Sequence, residues 1–382
     1  MPDGFSWPGD SDDLNRRRFL ATSAVSSVAI VGVVTGSARS TASVQATEIT
    51  DWNDLAAVRE NLDGDYVLAN DLDEQTTGYD EHVGDPVEGW EPIGDFDPDA
   101  DVEFTGTFDG NGHEIAGLKS NRPETNFVGL FGTNEGTIEN VILTDVDITG
   151  DRYVGGLVGW NGGEVSASSV READITGKER VGDYGNRVGG LVGSNTGEVS
   201  ASSVSGADIT GNERVGGLVG RNGGAVWGSW AAGDVFGDRR VGGFVGWNTS
   251  NGEVSWGYWD TESSSIQPAG IGSGDGDVIG LTTDEMQGEA AAANMDALDF
   301  EVTWAVRTDP DDYPRLEWQD ELDDTGEDDT GEDDTGEDDT GEDDTGEDDS
   351  VPGFGVGGAL AGVGGIAYLL KRCLGTAERS SQ

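Results

Sequence analysis

One eight-residue pattern recurs along the middle of the chain and constrains its fold more than any other feature. The pattern reads Val-Gly-Gly-Leu-Val-Gly-Trp-Asn at 154–161, returns with few changes at 188–195, 215–222 and 241–248, and has a diverged copy at 128–134. The first valines of successive copies lie 26, 34, 27 and 26 residues apart. A unit of this size cannot bury a hydrophobic face alone, whereas stacked units bury a continuous core. The repeat therefore predicts a solenoid.

Each unit holds three short strand-like runs separated by Gly and Asn. The Val-Gly-Gly pattern continues into a Glu-Val-Ser run and then into Ala-Asp-Ile-Thr-Gly, as at 164–166 and 173–177. These runs predict an all-β fold, a parallel β-solenoid (β-helix) over 128–260 with one unit per coil and coils about 4.8 Å apart. Which residues of each run point inward stays open, because Gly, Ala and Ser occur at both parities.

The asparagine that ends each copy of the pattern occupies one repeat position. In a solenoid, these side chains would stack as a ladder in which each amide bonds the turn backbone or the next coil. Asn248 also begins an Asn-Thr-Ser sequon, which makes it a candidate N-glycosylation site. The predicted ladder consists of Asn134, Asn161, Asn195, Asn222 and Asn248.

An aspartate also recurs at one repeat position. Like charges stacked about 5 Å apart repel, so either high salt screens this column or cations such as Ca²⁺, which prefers hard oxygen ligands, bridge it. Clustered carboxylates also serve polysaccharide hydrolases and lyases. Nothing in the sequence marks one aspartate as an acid, so no catalytic residue is assigned. The column consists of Asp147, Asp174, Asp208 and Asp234.

Aromatic residues concentrate near the last repeats, with eight between 227 and 259. They could cap the open end of the core, or they could form a surface that stacks on glycans or contacts a partner protein. Trp160 and Trp247 precede ladder asparagines, and alternation along a strand places them outside if the asparagines point inward. Together with Trp256 and Trp259 they form the predicted ligand surface.

The charge of the chain limits its partners. It carries 76 acidic and 21 basic residues, a formal net charge of −55. Residues 48–318 hold 52 of the acids and 14 of the bases, a net charge of −38. Such a body excludes nucleic-acid binding by phosphate neutralisation. It repels itself unless salt is high, since the Debye length falls to about 3 Å at about 1 M. The bias resembles that of proteins from halophilic archaea.

Residues 1–46 have the three parts of a signal peptide. Arg16 and Arg17 precede a short apolar run, and small residues lead to Ala46, after which we predict cleavage; Ala38 and Ala42 are alternative points. The paired arginines are similar to the twin-arginine signal, which implies export by the twin-arginine translocase. A plain membrane anchor is the other interpretation.

The C-terminal part reads as a stalk followed by an anchor. Asp-Asp-Thr-Gly-Glu occurs five times from 323 to 347, and this composition predicts that 320–350 is disordered and extended. Residues 351–370 are 20 uncharged residues, enough for a transmembrane helix. Pro352-Gly353-Phe354, this apolar stretch and the basic residues after it resemble the PGF-CTERM sorting signal, over 351–382. The resemblance implies that an archaeosortase cuts here and replaces the helix with a lipid. A permanent transmembrane helix is the alternative, and both tether the protein to the outer face of the membrane.

The units themselves resemble the GLUG-motif repeats of bacterial and archaeal surface proteins. The resemblance implies a fold and a surface location but no catalytic residue, because the family carries no agreed activity. We predict first coils or a cap at 47–127 and a capping segment at 261–319. The predicted function is that of an exported, membrane-anchored surface protein with a structural or adhesive role, in contact with glycans or surface-layer components. A carbohydrate-active enzyme on the same scaffold is the alternative.

Overall fold

A computed structural model describes residues 46–319, except 86, 96–101, 179–184, 267, 308 and 310–311. In this part of the chain, almost all strand pairing is parallel, and successive repeats pair with one another in register. This arrangement confirms the predicted parallel β-solenoid.

Strands supply most of the regular structure in the described residues. The short α-helices are α1 (Trp52–Ala57), α2 (Tyr79–His82), α3 (Thr283–Met286) and α4 (Ala290–Asn294), with a 3₁₀ turn at Val58–Glu60. The strands are β1 (Thr47–Ile49), β2 (Asp65–Leu68), β3 (Thr107–Asp109), β4 (Glu114–Ala116), β5 (Lys119–Asn121), β6 (Phe127–Val128), β7 (Phe131–Asn134), β8 (Thr137–Glu139), β9 (Ile142–Gly150), β10 (Tyr153–Gly155), β11 (Val158–Asn161), β12 (Glu164–Ser166), β13 (Ser169–Gly177), β14 (Arg187–Gly189), β15 (Val192–Asn195), β16 (Glu198–Ser200), β17 (Ser203–Thr210), β18 (Glu213–Gly216), β19 (Val219–Asn222), β20 (Ala225–Phe236), β21 (Arg239–Asn248), β22 (Glu253–Asp260), β23 (Ala269–Ile271), β24 (Val278–Leu281), β25 (Trp304–Ala305) and β26 (Arg315–Leu316).

Every repeat contributes to three faces of the solenoid. The first face consists of short strands such as β12 and β16, and the second of longer strands such as β13 and β17. These two faces form one 14-stranded sheet, because β20 and β22 each pair along both. The third face is a 10-stranded sheet that contains the Val-Gly-Gly segments.

The core is built from columns of aliphatic side chains, one from each coil. Val165 pairs with Val199 on the first face and Ile175 with Ile209 on the second, and all four are fully buried. The inward position that the sequence left open is therefore the Val or Ile of each run. The alternate positions carry the polar side chains, as the pleat of a strand requires.

The glycines of the repeat permit close contact between segments of the third face. At Gly159, a Cβ atom would lie 2.8 Å from the backbone nitrogen of Val128 and 2.9 Å from the backbone oxygen of Tyr153. Any larger residue would push the two halves of this face apart, so the spacing of glycines in the motif reflects contact between backbones.

Both ends of the chain's described part pack against the solenoid. At the start, Asp51 caps α1 by accepting hydrogen bonds from the backbone of Asn53 and Asp54, and Trp52 on this helix is fully buried. At the end, α3, α4 and the β25–β26 pair form a second hydrophobic cluster over Trp230 and Tyr258. The closing segment therefore covers a side of the second face.

Candidate functional site

The corner between the third and first faces contains the predicted asparagine ladder. The side-chain Nδ2 atom of each of the first four asparagines donates to the Oδ1 atom of the asparagine one coil further on, at 2.8–2.9 Å. The same Nδ2 atoms also donate to backbone carbonyls, as Asn195 does to Gly197 at 3.2 Å and Ala225 at 3.0 Å. All five asparagines are buried. The ladder satisfies the polar groups of a buried turn and has a structural role.

The buried position of Asn248 contradicts the prediction that this residue is glycosylated. Its Nδ2 atom, the atom that would carry a glycan, is buried and donates to the backbone oxygens of Gly252 at 3.0 Å and Asp275 at 2.5 Å. A glycan at this atom would break both bonds and would have no space in the folded corner.

A second ladder, of serine hydroxyls, was not predicted. At the corner between the first and second faces, the Ser202 hydroxyl donates to the backbone oxygen of Ser200 at 2.7 Å and accepts from the backbone N–H of Ser168 at 3.3 Å. Ser168 and Ser229 make the same contacts in their own coils, and all three side chains are fully buried. The recurring Ser-Ala-Ser-Ser sequence was the available signal for this ladder.

The outer surface of the third face carries two neighbouring columns of large side chains. One column stands just before the valine of each repeat and the other just before each ladder asparagine, so Trp160 and Trp247 point outward and are half-buried. We call seven of these residues the basic–aromatic strip: Tyr153, Trp160, Arg187, Arg214, Arg221, Arg240 and Trp247.

Arginine and aromatic side chains interleave along this strip. The guanidinium carbons of Arg240, Arg214 and Arg221 lie 4.7, 5.1 and 5.4 Å from the centroid of the Trp247 ring. One coil away, the Arg187 guanidinium lies 4.6 Å from the ring of Tyr153. These are cation–π distances, and the contacts form two groups, one around Tyr153 and one around Trp247.

One buried acid lies beneath the strip. Glu213 is almost fully buried, and its carboxylate forms ion pairs with Arg214 at 3.1 Å, Arg239 at 3.1 Å and Arg240 at 2.5 Å. Burial lowers the pKa of the Arg214 guanidinium; Glu213 counteracts this shift, and neighbouring arginines add to it. Burial followed by the charge of Arg187 likewise lowers the pKa of Arg221. These arginines were not predicted; the repeated Arg-Val-Gly-Gly sequence, which begins at Arg187, Arg214 and Arg240, was the available signal.

The other two predicted ligand-surface tryptophans differ in position. Trp256 is 47% exposed and meets Trp227 edge-on, with the ring centroids 6.4 Å apart. Trp259 is only 7% exposed and packs over Gly243 inside the last coils. Its position in the strand pairs it with Ala231 in an inward column, so Trp259 fills the end of the core and is not part of an outer surface.

The aspartate column lies on the outside of the second face. Asp147, Asp174, Asp208 and Asp234 pair in register across four coils. Burial, and next the charge of Asp174, raise the pKa of Asp147, while Lys119 beside it acts in the opposite direction. At the far end, Asp234 accepts hydrogen bonds from Ser264 and Ser265.

The residues described by the structure contain no group of three or more His, Cys, Asp or Glu side chains arranged to hold a metal ion. The aspartate column extends along the solenoid, with one carboxylate from each coil, instead of converging on a single point. Calcium binding at the column stays a prediction.

An open groove of about 620 Å³ follows the corner of the first face across four coils. Gly136, Gly163 and Gly197 line it, and Glu135, Glu164 and Glu198 are its acidic residues. The Glu198 carboxylate accepts a hydrogen bond from the Trp227 indole at 3.0 Å. Burial, and next the charge of Glu198, raise the pKa of Glu164. The groove therefore holds carboxylates in different environments.

The predicted processing sites lie mostly outside the described residues. Arg16, Arg17, Pro352, Gly353 and Phe354 belong to this group, as do the acidic stalk and the predicted transmembrane helix. Ala46 is described and directly precedes β1. Within the described ranges, no helix combines the length and the apolar character needed to cross a membrane.

The fold and its surface define the class of the protein as a parallel β-solenoid of short glycine-rich repeats. The family model of the GLUG motif matches residues 184–210. Halomucin of Haloquadratum walsbyi is 33% identical over 157 residues, which cover 36% of this chain and 2% of halomucin. A protein of Evansella cellulosilytica, provisionally described as a Gly-rich membrane protein, is 43% identical over 63 residues, 16% of this chain and 6% of that protein. The chain thus spans a small fraction of both relatives.

One solved structure is also similar. It is provisionally described as an immunoglobulin A1 protease from Bacteroides ovatus, with a TM-score of 0.49 and 16% identity, and the match covers 72% of this chain and 93% of that one.

Proposed function

We propose that the chain is an exported cell-surface protein whose solenoid binds glycans through the basic–aromatic strip. The observation that carries this proposal is the outward position of Trp160 and Trp247 on a rigid parallel sheet. Aromatic rings offer a large apolar surface with little conformational entropy to lose. Residues on strands also hold a binding geometry more firmly than residues on loops.

The similar proteins support a surface location. One relative is halomucin, a surface protein of a haloarchaeon, and another is provisionally described as a membrane protein. The acidic body of this chain suits the same high-salt environment, since salt screens its self-repulsion. A structural or adhesive role, in contact with glycans or surface-layer components, follows from this proposal.

The route to the surface is part of the proposal. We propose export by the twin-arginine translocase through Arg16 and Arg17, cleavage after Ala46, and removal of the predicted C-terminal transmembrane segment by an archaeosortase at 352–354. Cleavage after Ala46 would release a mature chain whose first residue is the first residue of β1. Mass spectrometry of the purified surface protein tests both ends; an uncleaved residue 1 or an intact residue 382 would contradict the processing scheme.

Glycan binding is tested with the full chain in about 1 M salt, where its self-repulsion is screened. A Trp160→Ala/Trp247→Ala variant should lose most of its signal on a glycan array. Phe236→Ala is the matched control, because Phe236 is 38% exposed at the end of a second-face strand. Equal binding by both variants would show that the strip is not the contact surface.

The acidic groove favours a second candidate function, hydrolysis of a polysaccharide. Glu164 and Glu198 come from adjacent coils, whose spacing of about 4.8 Å is close to the roughly 5–5.5 Å between the carboxyl groups of retaining glycosidases. The raised pKa of Glu164 suits a general acid, and the hydrogen bond from Trp227 holds the second carboxyl group, that of Glu198, in place.

Release of reducing ends from cell-surface polysaccharides distinguishes the two candidates. Turnover that disappears in Glu164→Gln, with Glu135→Gln as the control from the same groove, would favour the enzyme. Absence of turnover with every polysaccharide that the protein binds would leave the binding function alone.

A further inference from the structure

The basic–aromatic strip opposes the charge of the rest of the body. Residues 48–318 contain 14 basic residues against 52 acidic ones. Five of the 14, all arginines, lie at or beside the strip: Arg187, Arg214, Arg221, Arg239 and Arg240. More than a third of the basic residues of 48–318 therefore lie on one side of four coils.

Within the described residues, the ion pairs of these five arginines all involve one carboxylate, that of Glu213. Glu213 pairs with Arg214, Arg239 and Arg240. Within the described part of the chain, no carboxylate lies within ion-pair distance of Arg187 or Arg221, whose contacts are with the aromatic rings of Tyr153 and Trp247. In-register coils bring like charges to within about 5 Å of their neighbours, and such neighbours are destabilising. An anionic ligand would relieve this repulsion.

The backbone beneath the strip is also held in an unusual conformation. Arg214 and Arg240 occupy equivalent positions in consecutive coils, and both have positive φ, 57° and 55°. Residues other than glycine rarely adopt this region, and such strain concentrates at functional sites. Both guanidinium groups lie over the same ring, that of Trp247.

We propose that the strip binds an anionic polysaccharide, one whose sugar rings bear carboxylate or sulfate groups. This inference rests on the proposed glycan-binding function and specifies its ligand class. Planar guanidinium groups bind carboxylate and sulfate oxygens with two parallel hydrogen bonds, and the half-buried side chains of Trp160 and Trp247 add apolar surface beside them. Because the strip extends along the solenoid, an extended polymer with repeated anionic groups fits it better than a single small anion.

Binding is measured with the full chain in about 1 M salt, where long-range attraction is screened and contact-distance bonds dominate. The probes are polygalacturonate, dextran sulfate and neutral dextran, with polyglutamate and oligo(dT) as anionic polymers of other classes. We expect polygalacturonate or dextran sulfate to bind more tightly than neutral dextran. Arg187→Gln/Arg221→Gln should weaken that binding by about tenfold or more. The matched control is Lys119→Gln/Lys178→Gln, which removes the same charge outside the strip and should change affinity by less than about twofold.

Three outcomes would overturn the inference. Equal loss in the two double variants would show that only net charge matters. If neutral dextran binds as tightly as the anionic polymers, and Arg187→Gln/Arg221→Gln does not change these affinities, the strip binds glycans without a preference for anionic ones. Tighter binding to polyglutamate or oligo(dT) would assign the strip to an acidic peptide or a nucleic acid. By contrast, failure to bind any glycan would refute the proposed function itself.

Discussion

Substitution of Asn195 by alanine should test whether the buried ladder stabilises the solenoid. Its Nδ2 atom donates to the backbone oxygens of Gly197 and Ala225 and to the Asn222 side chain, and its Oδ1 atom accepts from Asn161. At a net contribution of about 1 kcal/mol per hydrogen bond, the loss of three to four bonds lowers the free energy of unfolding by about 3–4 kcal/mol. Buried groups left without a partner add to that loss.

Urea unfolding followed by circular dichroism, in about 1 M salt, measures this change. Thr196→Ala is the matched control, since Thr196 is the exposed neighbour and its hydroxyl makes a single hydrogen bond to the Asn161 backbone. A loss below about 1 kcal/mol for Asn195→Ala, or a loss equal to that of the control, would refute the argument.

A double-mutant cycle with Asn161→Ala isolates the bond between neighbouring coils. Asn161 and Asn195 share one side-chain hydrogen bond of 2.9 Å, which each single substitution removes. The double variant should therefore be less destabilised than the sum of the single variants, by about 1 kcal/mol. Strict additivity would show that the ladder acts as independent turns.

The remaining predictions concern strain, charge and the end of the core. Ala201 has a φ of +45°, so Ala201→Gly should stabilise the protein by about 1 kcal/mol, seen as a rise in melting temperature; a fall would show that the turn is unstrained. Because the pKa of Asp147 is raised, its contribution to stability is fully present below the unfolded pKa of about 3.9 and is lost as pH rises through the folded value. At low salt, the melting temperature of Asp147→Asn should therefore fall less between about pH 4 and 7 than the melting temperature of the wild type. Parallel profiles of the two proteins would contradict this. Trp259→Ala should cost about 3–5 kcal/mol in unfolding free energy, and the exposed Trp256→Ala under about 1 kcal/mol, with similar values refuting the assignment of Trp259 to the core. If calcium bridges the aspartate column as predicted, calcium chloride should raise the melting temperature more than sodium chloride does at equal ionic strength, and equal rises would refute calcium binding there.

The repeat made the fold predictable, because a recurring unit must place equivalent residues in one column. The stacking of Asn161 on Asn195 and of Asp174 on Asp208 follows from spacing alone once one coil per unit is assumed. Because neighbouring side chains on a strand point to opposite faces, the inward asparagine also predicted that Trp160 points outward.

The rest depended on contacts that spacing does not contain. Trp259 looked like one more member of an aromatic cluster, but its place in the second-face strand pairs it with Ala231 and directs it into the core. Glu213 was one acid among many in the sequence, and only folding shows it buried under Arg214 and Arg240. Where the chain departs from the regular repeat, the spacing of the repeats does not predict which residues are in contact.

The contrast between the inward and outward positions of the repeat has a consequence for how such a protein changes over evolutionary time. Glycines such as Gly159 are confined by backbone atoms less than 3 Å from where a side chain would begin, whereas the outward position beside them holds Trp160, Ser194, Arg221 and Trp247 in successive coils. Four coils thus share one architecture and differ in surface chemistry. Duplication of a coil lengthens the scaffold, and later substitution at outward positions alters what it displays with little effect on folding. The solenoid can therefore diversify its surface one coil at a time.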